Sequence, residues 1–309
     1  MAPQLPTIGF VILSHVDDGA LHRLVATLNM LYDDPPIACH HDFSQAALDT
    51  DVFPGNVHFV RPSFRTGWGT FPVVEAGLAA LSLLYEKADP DWFFHLSAAD
   101  YPVMPAARVR QELRRSGVDA YVDARALAGH EGEARRIGQD NPKLTHFDLP
   151  SNVRLKWLFY FGRQLWIPII RRKPRWRIGR HTFRPALEAR HPFRDGFACF
   201  YGDHWYTANR RAARLLLNPT SDHLRLQRHL CMRPQADECY YQTVLCNAAE
   251  LAVDRDNRRF AEWNGGGAHP VVLTDAQLEE ARLSGAHFAR KFKADSPVLE
   301  RLDALLASE

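Results

Sequence analysis

Two sets of side chains in this sequence could act on one ligand: a carboxylate at the mouth of an apolar strand, and cations near the C-terminus. Residues 91–105, DWFFHLSAADYPVMP, read as a buried strand from Trp92 to Leu96 that runs out into Ser97, Ala98 and Ala99 and stops at Asp100-Tyr101-Pro102. Apolar residues without alternation fit a central strand covered on both faces. Ligands of open α/β sheets bind beyond the carboxyl ends of such strands. The small residues would let a ligand approach the backbone, and Asp100 would be the first polar side chain it meets. A plain strand followed by an Asp-Tyr-Pro turn accounts for the same residues.

A diphosphate at that position would need its charge neutralised. Three Asp-x-Asp tripeptides could hold a divalent metal: Asp49-Thr-Asp51, Asp89-Pro-Asp91 and Asp254-Arg-Asp256. The second precedes its strand and so lies at the wrong end, and the other two fall in loops. Asp100 offers one carboxylate, fewer oxygen ligands than a hard cation usually takes. A metal site at the strand end is therefore doubtful, and no cofactor motif stands elsewhere in the sequence. The tail cations Arg258, Arg259, Arg290, Lys291 and Lys293 could bind a diphosphate by charge-assisted hydrogen bonds and stabilise its developing charge. They suit a solvated basic surface equally well. No GxGxxG follows the first apolar run, where SHVDDGAL stands instead, and no GxxxxGK[ST] occurs, which argues against dehydrogenases and P-loop enzymes.

The elements that must position these groups alternate in the first third of the 309 residues. Strand patterns fall at Ile8 to Leu13, Ile37 to Cys39 (ending at His40-His41-Asp42), Val57 to Val60 and the Trp92 run. Helix patterns fall at Asp18 to Leu31, with Asp17 or Asp18 as N-cap, and at Thr70 to Tyr85. This βαβ order predicts a mostly parallel sheet with helices on both faces. Further on, Ala120 to Val122 reads as a strand, Gly196 to Thr207 as strand–turn–strand, and Arg210 to Leu217 as a helix. Asp237 to Ala249 reads as a helix opened by two acids, and another helix starts at Asp275. No repeat, linker or low-complexity segment divides the chain, so a single domain over 1–309 is expected, with a ligand-binding half to about 125 and an elaborated half after it.

Composition is that of a globular protein, 46% hydrophobic and 24% charged, with net charge +2. No stretch has the ~20 apolar residues of a membrane span. The N-terminal apolar run is strand-length and lacks a basic flank, so it reads as a first strand rather than a signal peptide. Five cysteines without a CxxC pair imply reduced thiols and a cytoplasmic setting. Charge is uneven: Ser151 to Arg190 holds eleven Lys or Arg against one acid, Glu188. Its bursts WLFYF and LWIPII make 154–184 either an amphipathic insertion packed on the domain or a peripheral contact with an anionic membrane or a lipid-diphosphate-linked acceptor. No nucleic-acid motif accompanies the charge.

Eight segments in order, spanning about residues 8 to 295, resemble the core-2/I-branching β-1,6-N-acetylglucosaminyltransferase family (glycosyltransferase family 14), which includes the peptide xylosyltransferases. They are FVILSHVDDGALHRLVATL, His40-His41-Asp42, TGWGTFPVVEAGLAAL, FHLSAADYPV, GDHWYTANRRAARLLL, ADECYYQTVLCN, RRFAEW and FARKF. The resemblance, to a bacterial-type member, implies a GT-A-type α/β fold and inverting, metal-independent transfer from a UDP-sugar to a glycan or lipid-linked glycan. The donor sugar would be N-acetylglucosamine or xylose. It implies Glu238 as the catalytic base, with Arg259 and Lys291 on the diphosphate and Arg258 as fallback for Arg259. It also implies His15, Asp42, Trp68, Gly69 and Asp100 around the donor, and Trp205 and Asp237 toward the acceptor. The chain departs from the family pattern in carrying Asp203 where the family has Ser, Ala236 in place of the Pro before Asp-Glu, and Ala98 in place of Gly. A sugar- or membrane-binding protein that kept the fold without activity is the rival expectation, because a fold does not guarantee a function.

Overall fold

The computed structural model describes residues 5–16, 19–127, 176–178, 181–183, 192–193, 195–231, 235–263 and 269–308. The first elements are β1 (Ile8–Ser14), α1 (Ala20–Tyr32), β2 (Ile37–His41), β3 (Val57–Phe59), α2 (Phe71–Lys87) and β4 (Trp92–Ser97). After them come β5 (Asp100–Pro102), α3 (Ala106–Arg115), β6 (Ala120–Val122) and β7 (Arg125–Ala126). Strands β8 (Trp176–Ile178) and β9 (His181–Phe183) form an antiparallel pair, followed by β10 (Phe200–Tyr201), β11 (Tyr206–Asn209), α4 (Arg210–Leu217) and α5 (Ser221–Leu230). The chain then forms α6 (Tyr240–Cys246), β12 (Val253–Asp254), β13 (Arg259–Ala261), α7 (Asp275–Leu283), β14 (Phe288–Arg290) and α8 (Pro297–Ser308).

The expected α/β class, with a mostly parallel central sheet flanked by helices, is what forms. Seven strands lie in the order β12-β6-β11-β4-β1-β2-β3, and only β11 runs against its neighbours, β4 and β6. Strand side chains alternate between faces, so Phe10 and Phe94 enter one core while Val11 and Phe93 enter the other. With both faces covered, the sequences of β1 and β4 show no polar alternation. Helix α1 turns Leu21, Leu24, Val25 and Leu28 onto the first core, and α2 turns Val74, Leu81 and Leu84 onto the second. Pro72 stands in the first turn of α2, where a missing N–H costs nothing. No helix among the described residues is long and apolar enough to cross a membrane.

Several sequence expectations need correction. The Asp-Tyr-Pro segment is strand β5, part of a second sheet in the order β13-β14-β5. Its antiparallel register with β14 sets Asp100 opposite Arg290 and Tyr101 opposite Ala289. The helix expected from Asp237 begins at Tyr240, and the two acids lie in the turn before it. Strand β2 runs two residues past its expected end at Cys39, through His40 and His41, and both are buried. Helices α3, α5 and α8 stand where no helix was expected. The α1 cap at Asp17 or Asp18 lies outside the described residues, and α1 starts after Gly19 in the left-handed region, φ 79°. The basic aromatic segment also lies outside them, apart from β8 and β9.

Candidate functional site

The end of β4 is where a ligand was expected, and a short hydrogen-bonded turn shapes it. The Ser97 N–H donates to Asp100 Oδ2 at 2.7 Å, and the Ala99 N–H donates to Ser97 Oγ at 3.2 Å. Asp100 is buried. The guanidinium across the sheet compensates it, with Arg290 Nε 3.2 Å from Asp100 Oδ1. Burial pushes the Asp100 carboxyl up, against the opposing pull of Arg290 and the Ser97 N–H. Arg290 also lies 4.7 Å over the Trp205 ring, and its Nη1 is 3.9 Å from Asp203 Oδ1. Asn257 Nδ2 donates to Asp203 Oδ2 at 3.2 Å and to the Trp205 carbonyl at 3.1 Å, fixing the 203–205 segment beside β13.

The candidate base is tied to this cluster through the main chain. The Gly202 N–H donates to the Glu238 carbonyl at 2.9 Å, and Gln242 of α6 donates from Nε2 to the Asp203 carbonyl. A Cβ on Gly202 would run into the Asp123 backbone carbonyl, so only glycine allows this approach. His204 Nδ1 donates to the Asp237 carbonyl at 3.2 Å. Burial holds the His204 imidazolium off, bringing its pKa down to about 4. Buried His95 of β4 packs on His204, Trp205 and Tyr241 with ring centroids 4.8, 5.3 and 5.4 Å away. Burial, then His204, push its pKa well down, so it is neutral too. Glu238 itself is half-buried. The Gln235 N–H donates to the Gly69 carbonyl at 2.8 Å, joining the Trp68-Gly69 loop to the turn that carries Glu238. Trp68 is 59% exposed, with its ring edge toward His269 at 5.7 Å, so it is free to meet a ligand rather than committed to the core.

The other expected residues lie at varying distance from this cluster. Asp42, at the end of β2, is buried and accepts from Ser44 N and Oγ, Gln45 Nε2, and Thr66 N and Oγ1. Burial would raise its pKa, but these five hydrogen bonds outweigh burial and hold it well below the usual carboxylate range. It therefore braces the loop through Thr66 that leads to Trp68. His15 is exposed just past β1. Arg259 has its guanidinium turned inward. It donates to the carbonyls of Asn257, Arg258 and Tyr206 and to Thr207 Oγ1, and lies 5.3 Å over both Phe94 and Phe288. Burial lowers its pKa to about 10. Lys291 is half-buried beside Arg290, and its ammonium has no ion-pair partner among the described residues. Arg258, the fallback, pairs with Asp256 at 3.7 Å.

The Asp-x-Asp tripeptides serve local structure. Asp49 and Asp254 each accept the N–H two residues on, while Asp89 and Asp91 both bind Arg210. No group of three or more His, Cys, Asp or Glu gathers to hold a metal among the described residues. Sequence reasoning left Arg290 among the undifferentiated tail cations and passed over Asn257, His95 and His204. Their roles come from the β5–β14 register and the sheet order, which residue spacing does not encode.

The sequence profile described as Core-2/I-Branching enzyme matches residues 40–284. Two curated relatives from Arabidopsis thaliana are similar: beta-glucuronosyltransferase GlcAT14A, 28% identical over 97% of this chain, and GlcAT14B, 27% identical over 80%. The chain spans 64% and 51% of their respective lengths. A solved galactosyltransferase, LgtC with donor and acceptor sugar analogs, aligns over 96% of this chain and 95% of its own, at 13% identity and a TM-score of 0.38. That likeness is too slight to carry an argument.

Proposed function

Because the chain belongs to the Core-2/I-Branching enzyme family, we propose that it is an inverting, metal-independent glycosyltransferase of GT-A type. It moves N-acetylglucosamine or xylose from a UDP-sugar to a hydroxyl of a glycan or lipid-linked glycan. The observation that carries this reading is the tie between the Glu238 turn and the strand-end cluster, through Gly202, Asp203, Arg290 and Asp100. The main chain of the Glu238 turn, the pair of buried Asp100 with Arg290, and Lys291 next to Arg290 lie at one end of the sheet, which supports a base and a cation acting there together.

In this mechanism the Glu238 carboxylate takes the proton of the acceptor hydroxyl. That oxygen bonds to the anomeric carbon on the face opposite the diphosphate, the bond from that carbon to the diphosphate oxygen breaks, and UDP leaves with the electron pair. Lys291 meets the growing phosphate charge directly, and Arg259 adds a fixed positive charge from behind the aromatic wall. Asp100 engages Arg290 and the Ser97 N–H, which supports a donor site run by protein cations rather than a metal. The basic segment 154–184 supports a lipid-linked acceptor at the inner face of a membrane. Trp205 and Asp237 would line the acceptor side. The relatives' names favour a second donor, UDP-glucuronate.

Replacing the base tests the reading. Glu238→Gln should lose at least ~10²-fold in transfer, the lower end of general-base effects, with UDP affinity nearly unchanged. Wild-type turnover in that variant would remove Glu238 from the mechanism.

A further inference from the structure

Whether the sugar is neutral or a uronate turns on the charge around its hydroxyls, and this question rests on the donor-pocket reading above. Asp203 stands beside Asp100 on the same guanidinium. Arg290 lies 3.2 Å from Asp100 Oδ1 and 3.9 Å from Asp203 Oδ1, with its face on Trp205. Its charge is therefore already shared by two carboxylates. Asp123 adds a third from behind, its Oδ2 accepting the Asp203 N–H at 2.9 Å, with Arg125 3.6 Å from that oxygen on the outer side. Of the other nearby cations, Arg259 is spent on backbone carbonyls and aromatic rings, and Lys291 is the one assigned above to the diphosphate.

We propose that Asp203 is a specificity-determining residue: held by Asn257 and Arg290 beside Asp100, it admits an uncharged donor sugar and rejects a uronate. Its carboxylate accepts hydrogen bonds from sugar hydroxyls, whereas a uronate carboxylate meets like charge, with Lys291 given over to the diphosphate and no other unpaired cation beside the cluster among the described residues. Like-charge juxtaposition is a strong means of excluding a wrong partner. The crowding of negative charge already registers on Asp203. Burial, with Asp100 and Asp123, raises its carboxyl to about 6 despite Arg290 and Arg259. The Asp203 side chain remains 27% exposed, which leaves it open to a ligand on one side.

The test is calorimetric binding of UDP, UDP-N-acetylglucosamine, UDP-xylose and UDP-glucuronate at pH 8 to wild type, Asp203→Asn and Asp203→Ser. Thermal melts check that each variant folds. Wild type should bind one of the neutral donors at least ~10-fold more tightly than UDP-glucuronate, and both variants should narrow that ratio by ~5-fold or more. UDP-glucuronate bound by wild type as tightly as the better neutral donor, or a ratio unmoved in both variants, overturns the assignment of Asp203 alone. Absence of UDP binding in folded wild type overturns the donor-pocket reading and this inference with it.

Discussion

Arg259 and Lys291 occupy positions to which sequence resemblance gives the same task, yet their surroundings differ. Arg259 makes four hydrogen bonds inward and faces two aromatic rings, whereas Lys291 is half-buried without an ion pair among the described residues. Lys291→Ala should weaken UDP binding ~10-fold or more, the scale of one charge-assisted hydrogen bond, while leaving the melting temperature within a few degrees. Arg259→Met should do the reverse, costing about 2 kcal/mol through carbonyls left unpaired, with a smaller change in UDP affinity. Calorimetry beside thermal melts separates them. Asp203 has a pH signature of its own. Its carboxyl is raised to about 6, so the native state holds that proton more tightly than the unfolded chain. The stability it contributes is present below the ordinary carboxylate pKa and is lost as pH rises through about 6. Asp203→Asn lacks that loss. Its melting temperature relative to wild type should therefore rise between pH 5 and pH 8, and a flat difference would show an unshifted group.

The Asp-Tyr-Pro segment shows how one short strand serves two sites. Asp100 reaches Arg290, while Tyr101 points the other way, donating from Oη to Asp303 Oδ1 at 2.7 Å and meeting Thr27 Oγ1 at 2.5 Å. Asp303 of α8 also binds Arg23 of α1 at 2.9 Å. The C-terminal helix is thus pinned to the sheet that carries the cations. Tyr101→Phe should destabilise the protein by about 1 kcal/mol, visible as a lower urea midpoint. An unchanged midpoint would mean that α8 docks by its apolar face alone. Elements whose both faces are buried, such as β1 and β4, were readable because their apolar runs leave little choice. The three-residue strands β5, β13 and β14 were not, because their pairing brings together residues as distant as Asp100 and Arg290. Helix α5 went unread because His223 stands at the position where Glu or Gln usually completes a capping box with Thr220. The helix expected from Asp237 starts three residues late because the preceding turn is held by Gly202 and Gly69.

At the scale of the whole molecule, the central sheet gathers β1–β4 and β6 with β11 and β12 from the second half of the chain. This places the 202–205 segment and the Glu238 turn against the ligand end of β4. Spacing exposed Asp100 and the tail cations as candidates, and resemblance singled out Glu238. The direction each side chain takes, inward for Arg259 and across the sheet for Arg290, follows from packing between remote segments that a linear pattern does not contain. The central claim is that a protein carboxylate and protein cations, without a metal, drive UDP-sugar turnover. Its most direct test is UDP release from a panel of UDP-sugars in excess EDTA, with wild type and Glu238→Gln side by side. Wild type should release UDP from at least one donor at a rate insensitive to EDTA, and Glu238→Gln should fall at least ~10²-fold below it. Turnover that requires added Mn²⁺, or a Glu238→Gln rate equal to wild type, would contradict the account.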